Sequence, residues 1–417
     1  MYALKGNIVH APKFGEVEIT ENGFITIDDG RIEGIYPKLP DGFSGIHVID
    51  YSDKLILQSF CDMHLHAPQY PMLGMGLDLP LLEWLKTYTF KTEAAFSDNE
   101  YAKRVYARLA KELVDSGTTR VCMFSSVHTD ATVLLMNELE KAGITGYVGK
   151  VNMDRNSDPC IQETTEQSMR ETLRWLNGCD VFTKIKPMLT PRFTPSCTNE
   201  LLEWIGSLAK ERNLPIQSHL SENLAEMDWV KELHPDCEQY WESYAKYGLF
   251  GERTIMAHCV HCDDREIAAL KSNKVTVAHC PDSNINLASG IAPIRKMIEC
   301  GVSVALGSDI AGGAHLSMTE VIASAIRASK MKRIQSEWQT EFLSVAEGYY
   351  LGTTAGAKFF GFKDGFASGD MFHAVVIDDS NMCNAKEMSV MERFERSIYL
   401  AKKEDIVAVY SDGIKIK

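Results

Sequence analysis

Two histidines one residue apart, His64 and His66, close the apolar run LILQSFCDMHLH (residues 55–66). If that run is a strand, its i and i+2 side chains share a face, and both imidazoles can grip one ion. Alone the pair says little, because paired histidines also serve as ordinary hydrogen-bonded residues. Further along, His219 ends LPIQSH, His258 ends RTIMAH, His279 ends KVTVAH and Asp309 ends GVSVALGSD. Neutral imidazoles and a carboxylate are what a divalent ion such as zinc or ferrous iron accepts while keeping positions open for water. Glu222 follows His219 by three residues in HLSENLAE. A carboxylate there can carry protons over a substrate, or it can simply sit at the start of a capped helix.

Positioning such groups requires elements whose ends meet. The runs LILQSF, TTRVCMF, GYVGKVN, FTKIKPML, LPIQSH, RTIMAH, KVTVAH and GVSVALGSD read as buried parallel strands. Helical patterns such as EYAKRVYARLAKELVDSG and TNELLEWIGSLAKERN separate them, each closing on a Gly, Asn or charged residue. Eight strands alternating with helices predict an α/β fold, a (β/α)8 TIM-like barrel whose chemistry sits at the C-terminal strand ends, where the histidines and Asp309 fall. A doubly wound sheet is the alternative, but the glycine-rich phosphate loop that usually marks it is replaced here by CDMHLHAPQY.

The first 58 residues read as short β-branched runs with no helix, including an Asp29-Gly30 hairpin turn. More strand signals follow residue 365 in GFASGDMFHAVVIDD, DIVAVYS and GIKIK. The expectation is a small composite β-sandwich made of residues 1–58 and 365–417, with the catalytic barrel spanning 59–364.

Composition narrows the partners. The 417 residues carry 43 Lys and Arg against 57 Asp and Glu, a net charge of -14, which repels phosphate backbones and argues against nucleic acid and anionic membranes. No apolar window is long enough to span a bilayer and the N-terminus lacks a secretory layout, so the expected location is cytoplasmic. Eleven scattered cysteines fit reduced thiols, with no disulfide expected. Cys259 and Cys262 form a lone Cys-x-x-Cys with no second pair, a poor zinc knuckle. The cytidine-deaminase pattern, His-x-Glu followed by Pro-Cys-x-x-Cys, is absent.

The segments DMHLHAPQY, LDLPLLEWLKTYTFKTE, VGKVNMD, TPRFTPSC, SHLSEN, MAHC, AHCPDSN and GSDIAGGAHLSM together resemble the guanine deaminases of the amidohydrolase superfamily. The likeness runs from about residue 57 to 320. The His-x-His and terminal Asp indicate the superfamily, whereas HAPQY with LDLPLLEWL and TPRF narrows the substrate. The resemblance implies one divalent metal, zinc or iron, on His64, His66, His219 and Asp309. It implies that His258 holds the attacking water, that Glu222 shuttles protons, and that Gln69, Arg192 and Phe193 face the purine guanine. Asp309 shares in the proton transfers. A homodimer is also implied. Relatives with two metals carry a carboxylated lysine at the end of strand four; here Lys184 and Lys186 lie further back, which favours one ion.

Several readings stay open. Trp84 and its apolar stretch form either a helix packed on the barrel or a lid facing the substrate. His279 either touches substrate or positions its neighbours, and His234 and His315 read as surface residues. Two departures from the superfamily pattern, Gln58-Ser59 for Pro-Gly and Phe372-His373-Ala374-Val375 for Ala-Asp-Leu-Val, bear on domain packing. Two rival functions remain: a related deaminase or chlorohydrolase of another heterocycle (cytosine, an adenosine derivative or a triazine), and a silent scaffold of the same fold.

Overall fold

In the computed structural model, which describes residues 1–382 and 386–417, eight parallel strands close on one another. They are Phe60–His66, Thr118–Phe124, Thr145–Gly149, Ile185–Pro187, Ile216–Leu220, Thr254–His258, Thr276–His279 and Ser303–Leu306, four in each of two sheets. One seam is bridged at Leu189–Ile216. At the other, the Asp309 amide donates to the His64 carbonyl (2.8 Å) and the His66 amide to that of Ile310 (3.1 Å). Helices such as Asn99–Asp115, whose start Asp98 caps, cover the outside.

The lumen is filled from several strands. Cys61, Met63, Cys122, Met188, Ile255, Ala257, Ala278 and Ala305 form one buried apolar cluster, against which Phe359, Phe360 and Phe362 pack. Gly356, in the helix Thr354–Phe359, lets that floor approach closely, since a Cβ there would come within 2.6 Å of the Cys61 Cβ.

The run LILQSF divides at Ser59. Residues up to Gln58 end a long strand, His47–Gln58, of a separate sheet, and the barrel strand begins at Phe60. That second sheet draws on both chain ends, as expected: seven strands in the order Ile414–Lys415, Ile406–Ser411, Ala374–Ile377, His47–Gln58, Tyr2–His10, Glu18–Asp28, Arg31–Tyr36. Register shifts between Gly6 and Ile8 and between Lys5 and Asn7 break its regular ladder. One face buries its own cluster, including Ile8, Ile27, Ile56, Phe372 and Tyr410. The other face sends Val9, Leu57, Val375 and Val409 into the core shared with the barrel. Asp29 and Gly30 adopt positive φ (46° and 76°), the hairpin turn foreseen.

The run FTKIKPML keeps only Ile185–Pro187 as strand in that stretch, and a helix, Val390–Leu400, that the sequence reading lacked precedes the tail strands. The ten cysteines described are free thiols; Cys383 lies outside the described residues. No helix among the described residues is long and apolar enough to cross a membrane.

Candidate active site

Strict pleat alternation would send His64 away from the face that Met63 occupies. A register shift between Asp62 and Leu65 resets the alternation, so that after Cys61 and Met63 fill the lumen the imidazoles of His64 and His66 meet above them. His219 arrives at the end of the fifth strand with regular pairing. His258 and Asp309 are re-aimed by left-handed backbone (φ 73° and 47°), a conformation that non-glycine residues rarely hold and that concentrates at functional sites.

These side chains converge. His66 Nε2 lies 3.2 Å from His219 Nε2. Asp309 Oδ1 lies 3.3 Å from His64 Nε2 and 3.5 Å from His66 Nε2. His258 Nε2 is 3.8 Å from Asp309 Oδ2 and 3.5 Å from Glu222 Oε2. Phe124 packs against three of the imidazoles, its ring 4.8 Å from His66, 5.2 Å from His219 and 5.4 Å from His64.

The outer nitrogens fix the tautomers. His219 Nδ1 sits 2.6 Å from the Arg192 carbonyl, which can only accept, so the proton is on Nδ1 and Nε2 presents a lone pair. His64 Nδ1 faces Gln217 Oε1 at 3.3 Å, an orientation held by Gln217 Nε2 donating to the Met63 carbonyl (2.6 Å). His258 Nδ1 likewise faces Asn284 Oδ1 (2.9 Å). The inward Nε2 lone pairs of His64 and His219 and the Asp309 carboxylate therefore meet with no proton among them, and His64 Nε2 and His66 Nδ1 are buried with no hydrogen-bond partner. Burial also holds the His64, His66 and His219 cations below the ordinary imidazole range, those of His66 and His219 far below. An electron-rich, unprotonated donor set of this kind fits a divalent cation. His64, His219 and His258 place nitrogens within 4.8 Å of one another, and Cys280 Sγ shares such a cluster with His64 and Asp309.

Beside this centre opens a cavity walled by His66, Gln69, Trp84, Arg192, Phe193, His219, Glu222, His258 and Asp309, together with Leu81, Leu85, Glu226 and Leu287. Trp84 thus lines the cavity as well as packing, its indole N–H donating to the Met75 carbonyl (3.0 Å). Glu222 is buried, its carboxyl pushed up to about 7 chiefly by desolvation. Ser289 Oγ donates to its Oε1 (3.2 Å), and its backbone N–H donates to Glu226 Oε2 (3.1 Å). Burial disfavours the His258 cation, but Glu222 and Asp309 outweigh it and raise His258 above the ordinary range.

One open reading narrows and one expectation is corrected. His279 is not among the residues walling the cavity; it is buried with Nδ1 unpartnered and feels the charge of His258, which favours the neighbour-positioning reading. His234 is buried rather than on the surface, between Arg155 Nη2 (3.3 Å) and Lys246 Nζ (3.2 Å). His315 is exposed. Lys184 pairs with Asp412 and Lys186 donates to the Phe182 carbonyl (2.9 Å), so neither strand-four lysine enters the site.

Sequence reasoning missed Glu93, Phe124, Gln217 and Glu226. Glu93 lies within LDLPLLEWLKTYTFKTE, where its residue type and spacing do not single it out; in the structure it is 1% exposed and ion-paired with Arg192 (2.7 Å). Glu226 follows Glu222 at helical spacing, which was its only signal.

The family model for the amidohydrolase family matches residues 55–415. A guanine deaminase of Dictyostelium discoideum is 37% identical over 441 aligned residues, 99% of this chain and 97% of its own. The chain belongs to the amidohydrolase family, among its guanine deaminases. The crystal structure of guanine deaminase from C. acetobutylicum, with guanine bound in its active site, is 43% identical and covers 100% of both chains at a TM-score of 0.97. An atrazine chlorohydrolase from Arthrobacter aurescens complexed with zinc superposes over 100% of this chain and 95% of its own, with a TM-score of 0.86 at 16% identity. That likeness is one of fold alone, so substrate choice rests on the cavity.

Proposed function

We propose that this chain hydrolytically deaminates guanine to xanthine and ammonia. One observation supports the reading above the rest: a cluster of imidazoles and a carboxylate shares a small cavity with a donor pair, Gln69 and Arg192, and with a buried carboxyl, Glu222, whose hold on a proton burial strengthens.

His64, His66, His219 and Asp309 would hold one divalent ion, zinc in this reading, with ferrous iron suiting the same donors. Such an ion supplies the acidity that brings the pKa of water to ~7. His258 and Asp309 orient the attacking water through their inward-facing atoms. Its oxygen adds to the ring carbon bearing the exocyclic amine, and Glu222 carries a proton to the adjacent ring nitrogen, so charge does not accumulate on the purine. A second proton, delivered by Glu222 or Asp309, goes to the amine; the C–N bond breaks and ammonia leaves. Arg192 donates toward the carbonyl oxygen of guanine, Gln69 supplies a further amide N–H, and Phe193 with Trp84 gives the ring apolar surface. A homodimer is the resemblance's contribution to the same reading, a cytoplasmic location that of the sequence pattern, and light scattering reports on the assembly.

The test is to add guanine, follow xanthine and ammonia, and measure metal on the same sample. Adenine, which lacks the carbonyl, should react slower by ~10^4-fold. Turnover of a triazine or cytosine in preference to guanine would transfer the site to the rival heterocycle reading. Metal-free protein after gentle purification, inert even when zinc is restored, would favour the silent scaffold.

A further inference from the structure

The polar end of the cavity depends on a residue that does not line it. Glu93, in the short helix Phe90–Ala94, accepts two hydrogen bonds with its two oxygens: Gln69 Nε2 donates to Oε1 (2.9 Å) and Arg192 Nη1 donates to Oε2 (2.7 Å). All three residues are buried. Arg192 also lies over the Phe90 ring, 5.4 Å from its centroid, and Phe90 belongs to the same short helix. The other end of the Gln69 amide is pinned too, because the Ala311 backbone N–H donates to Gln69 Oε1 (3.0 Å). A flipped amide would set its oxygen against the Glu93 carboxylate and its NH2 against the Ala311 N–H, so one orientation is enforced.

We infer that Glu93 is a specificity-determining positioning residue, which locks Gln69 and Arg192 as a pair of donors and so selects a ring that offers acceptors at that end of the cavity. The argument is one of remaining valences. With one Nε2 hydrogen on Glu93 and Oε1 engaged by Ala311, what Gln69 has left to donate is its second amide hydrogen. With Nη1 on Glu93, Arg192 still has donors in its fork for the cavity. Glu93 also balances a buried guanidinium, which would otherwise be a desolvated charge with no partner. A ring keeping the 2-amino group but lacking the 6-carbonyl, such as 2-aminopurine, would leave a buried donor unpaired.

This inference rests on the guanine reading, and the experiment separates the two. The wild-type enzyme is assayed first with guanine and with 2-aminopurine, recording kcat and KM for each together with metal content. Failure of the wild type on guanine would overturn the function itself. Given guanine turnover, Glu93→Gln keeps the shape but cannot accept from both partners. It should raise KM for guanine at least tenfold while kcat stays within about threefold, and it should narrow the guanine to 2-aminopurine ratio of kcat/KM by at least tenfold, with metal content unchanged. Glu93→Asp keeps the charge opposite Arg192 but is one methylene short, and should show the same pattern at smaller amplitude; it serves as the test if Glu93→Gln does not fold. Wild-type KM and wild-type discrimination in either folded variant would overturn the inference. So would a fall in kcat with metal loss and an unaltered substrate ratio, the signature of a merely structural role.

Discussion

His219 donates its Nδ1 proton to the backbone carbonyl of Arg192 across 2.6 Å. The imidazole read as a metal ligand is therefore oriented by the same residue whose guanidinium faces the cavity. The proposed metal and substrate ends of the site share one piece of backbone, just after the short strand Thr190–Pro191. Arg192 is itself tied there, its N–H donating to the Asn152 carbonyl (3.2 Å).

Orientation of this kind can be tested at Gln217, which sits beneath the site and does not touch the cavity. Its Oε1 faces His64 Nδ1 and its amide is fixed on the Met63 carbonyl. Replacing it by Leu leaves that ring free to take the wrong tautomer, so metal affinity should fall by ~10- to 100-fold, as for other residues that support a metal-binding histidine. His219→Ala, which removes a donor outright, should lose metal altogether. Competition against a chelator, read by metal analysis, ranks the three proteins; equal retention by Gln217→Leu would remove the orienting role.

Glu222 presents the converse case. Burial favours its protonated form, and Ser289 and the N–H contact with Glu226 hold it in place. Glu222→Gln preserves size and polarity but carries no titrating proton. It should bind metal like the wild type and lose turnover by ~10^2- to 10^4-fold, the range for general acid–base catalysis. Near-normal turnover with normal metal would take Glu222 out of the chemistry.

The barrel and the sheet drawn from both chain ends were legible because parallel strands buried on both faces read as continuous apolar runs, LILQSF aside. The strand-end histidines were legible because a parallel barrel fixes which end carries chemistry. His279 stayed undecided for a physical reason: identity and strand-end position match those of His258, but only His258 has a left-handed backbone. Single-sequence patterns do not display backbone handedness at a non-glycine residue. Glu93 was illegible for another reason, since its burial depends on Arg192, 99 residues away. Gln58-Ser59 and His373, noted separately as departures, turn out to meet. The Ser59 amide donates to the His373 carbonyl (3.2 Å), and Thr119 Oγ1 contacts His373 Nδ1 (3.1 Å).

That junction has a pH signature. His373 is fully buried where the terminal sheet meets the barrel, and burial, aided by Arg120, lowers its pKa to about 4 despite Asp412 at 3.1 Å. The unfolded chain binds this proton near the ordinary value of ~6.5, so between the two values the unfolded state holds more protons than the folded one. Its contribution is thus present above pH ~6.5 and lost as pH falls toward about 4. At full extent it amounts to about 3 kcal/mol. His373→Gln, which cannot protonate, should show a shallower fall in Tm from pH 7 to pH 4 than the wild type. Parallel curves for the two proteins would show that His373 does not titrate across unfolding.

The last seam of the barrel gives the sharpest structural test. Gly307 follows the eighth strand, and a Cβ placed on it would lie 2.8 Å from the His64 Cβ and 3.0 Å from both the backbone nitrogen and oxygen of His64. The nitrogen and oxygen cannot rotate away, so the two strands themselves would have to part. Yet two residues on, the Asp309 amide is hydrogen-bonded to the His64 carbonyl at 2.8 Å, and Asp62 accepts the Ser308 amide at 2.9 Å. Gly307→Ala must then stretch the contacts that set Asp309 opposite His64 and His66. Overpacking of this kind destabilises by ~1–3 kcal/mol, and the same displacement should weaken metal binding by more than the loss of stability alone would. Gly361 supplies the control: its φ of 85° makes alanine unfavourable, but a Cβ there meets nothing within 4 Å. Gly361→Ala should lower Tm by a similar few degrees and leave metal affinity unchanged. If Gly307→Ala retains wild-type metal affinity in folded protein, the approach of the first and eighth strands is not what holds the donor set together.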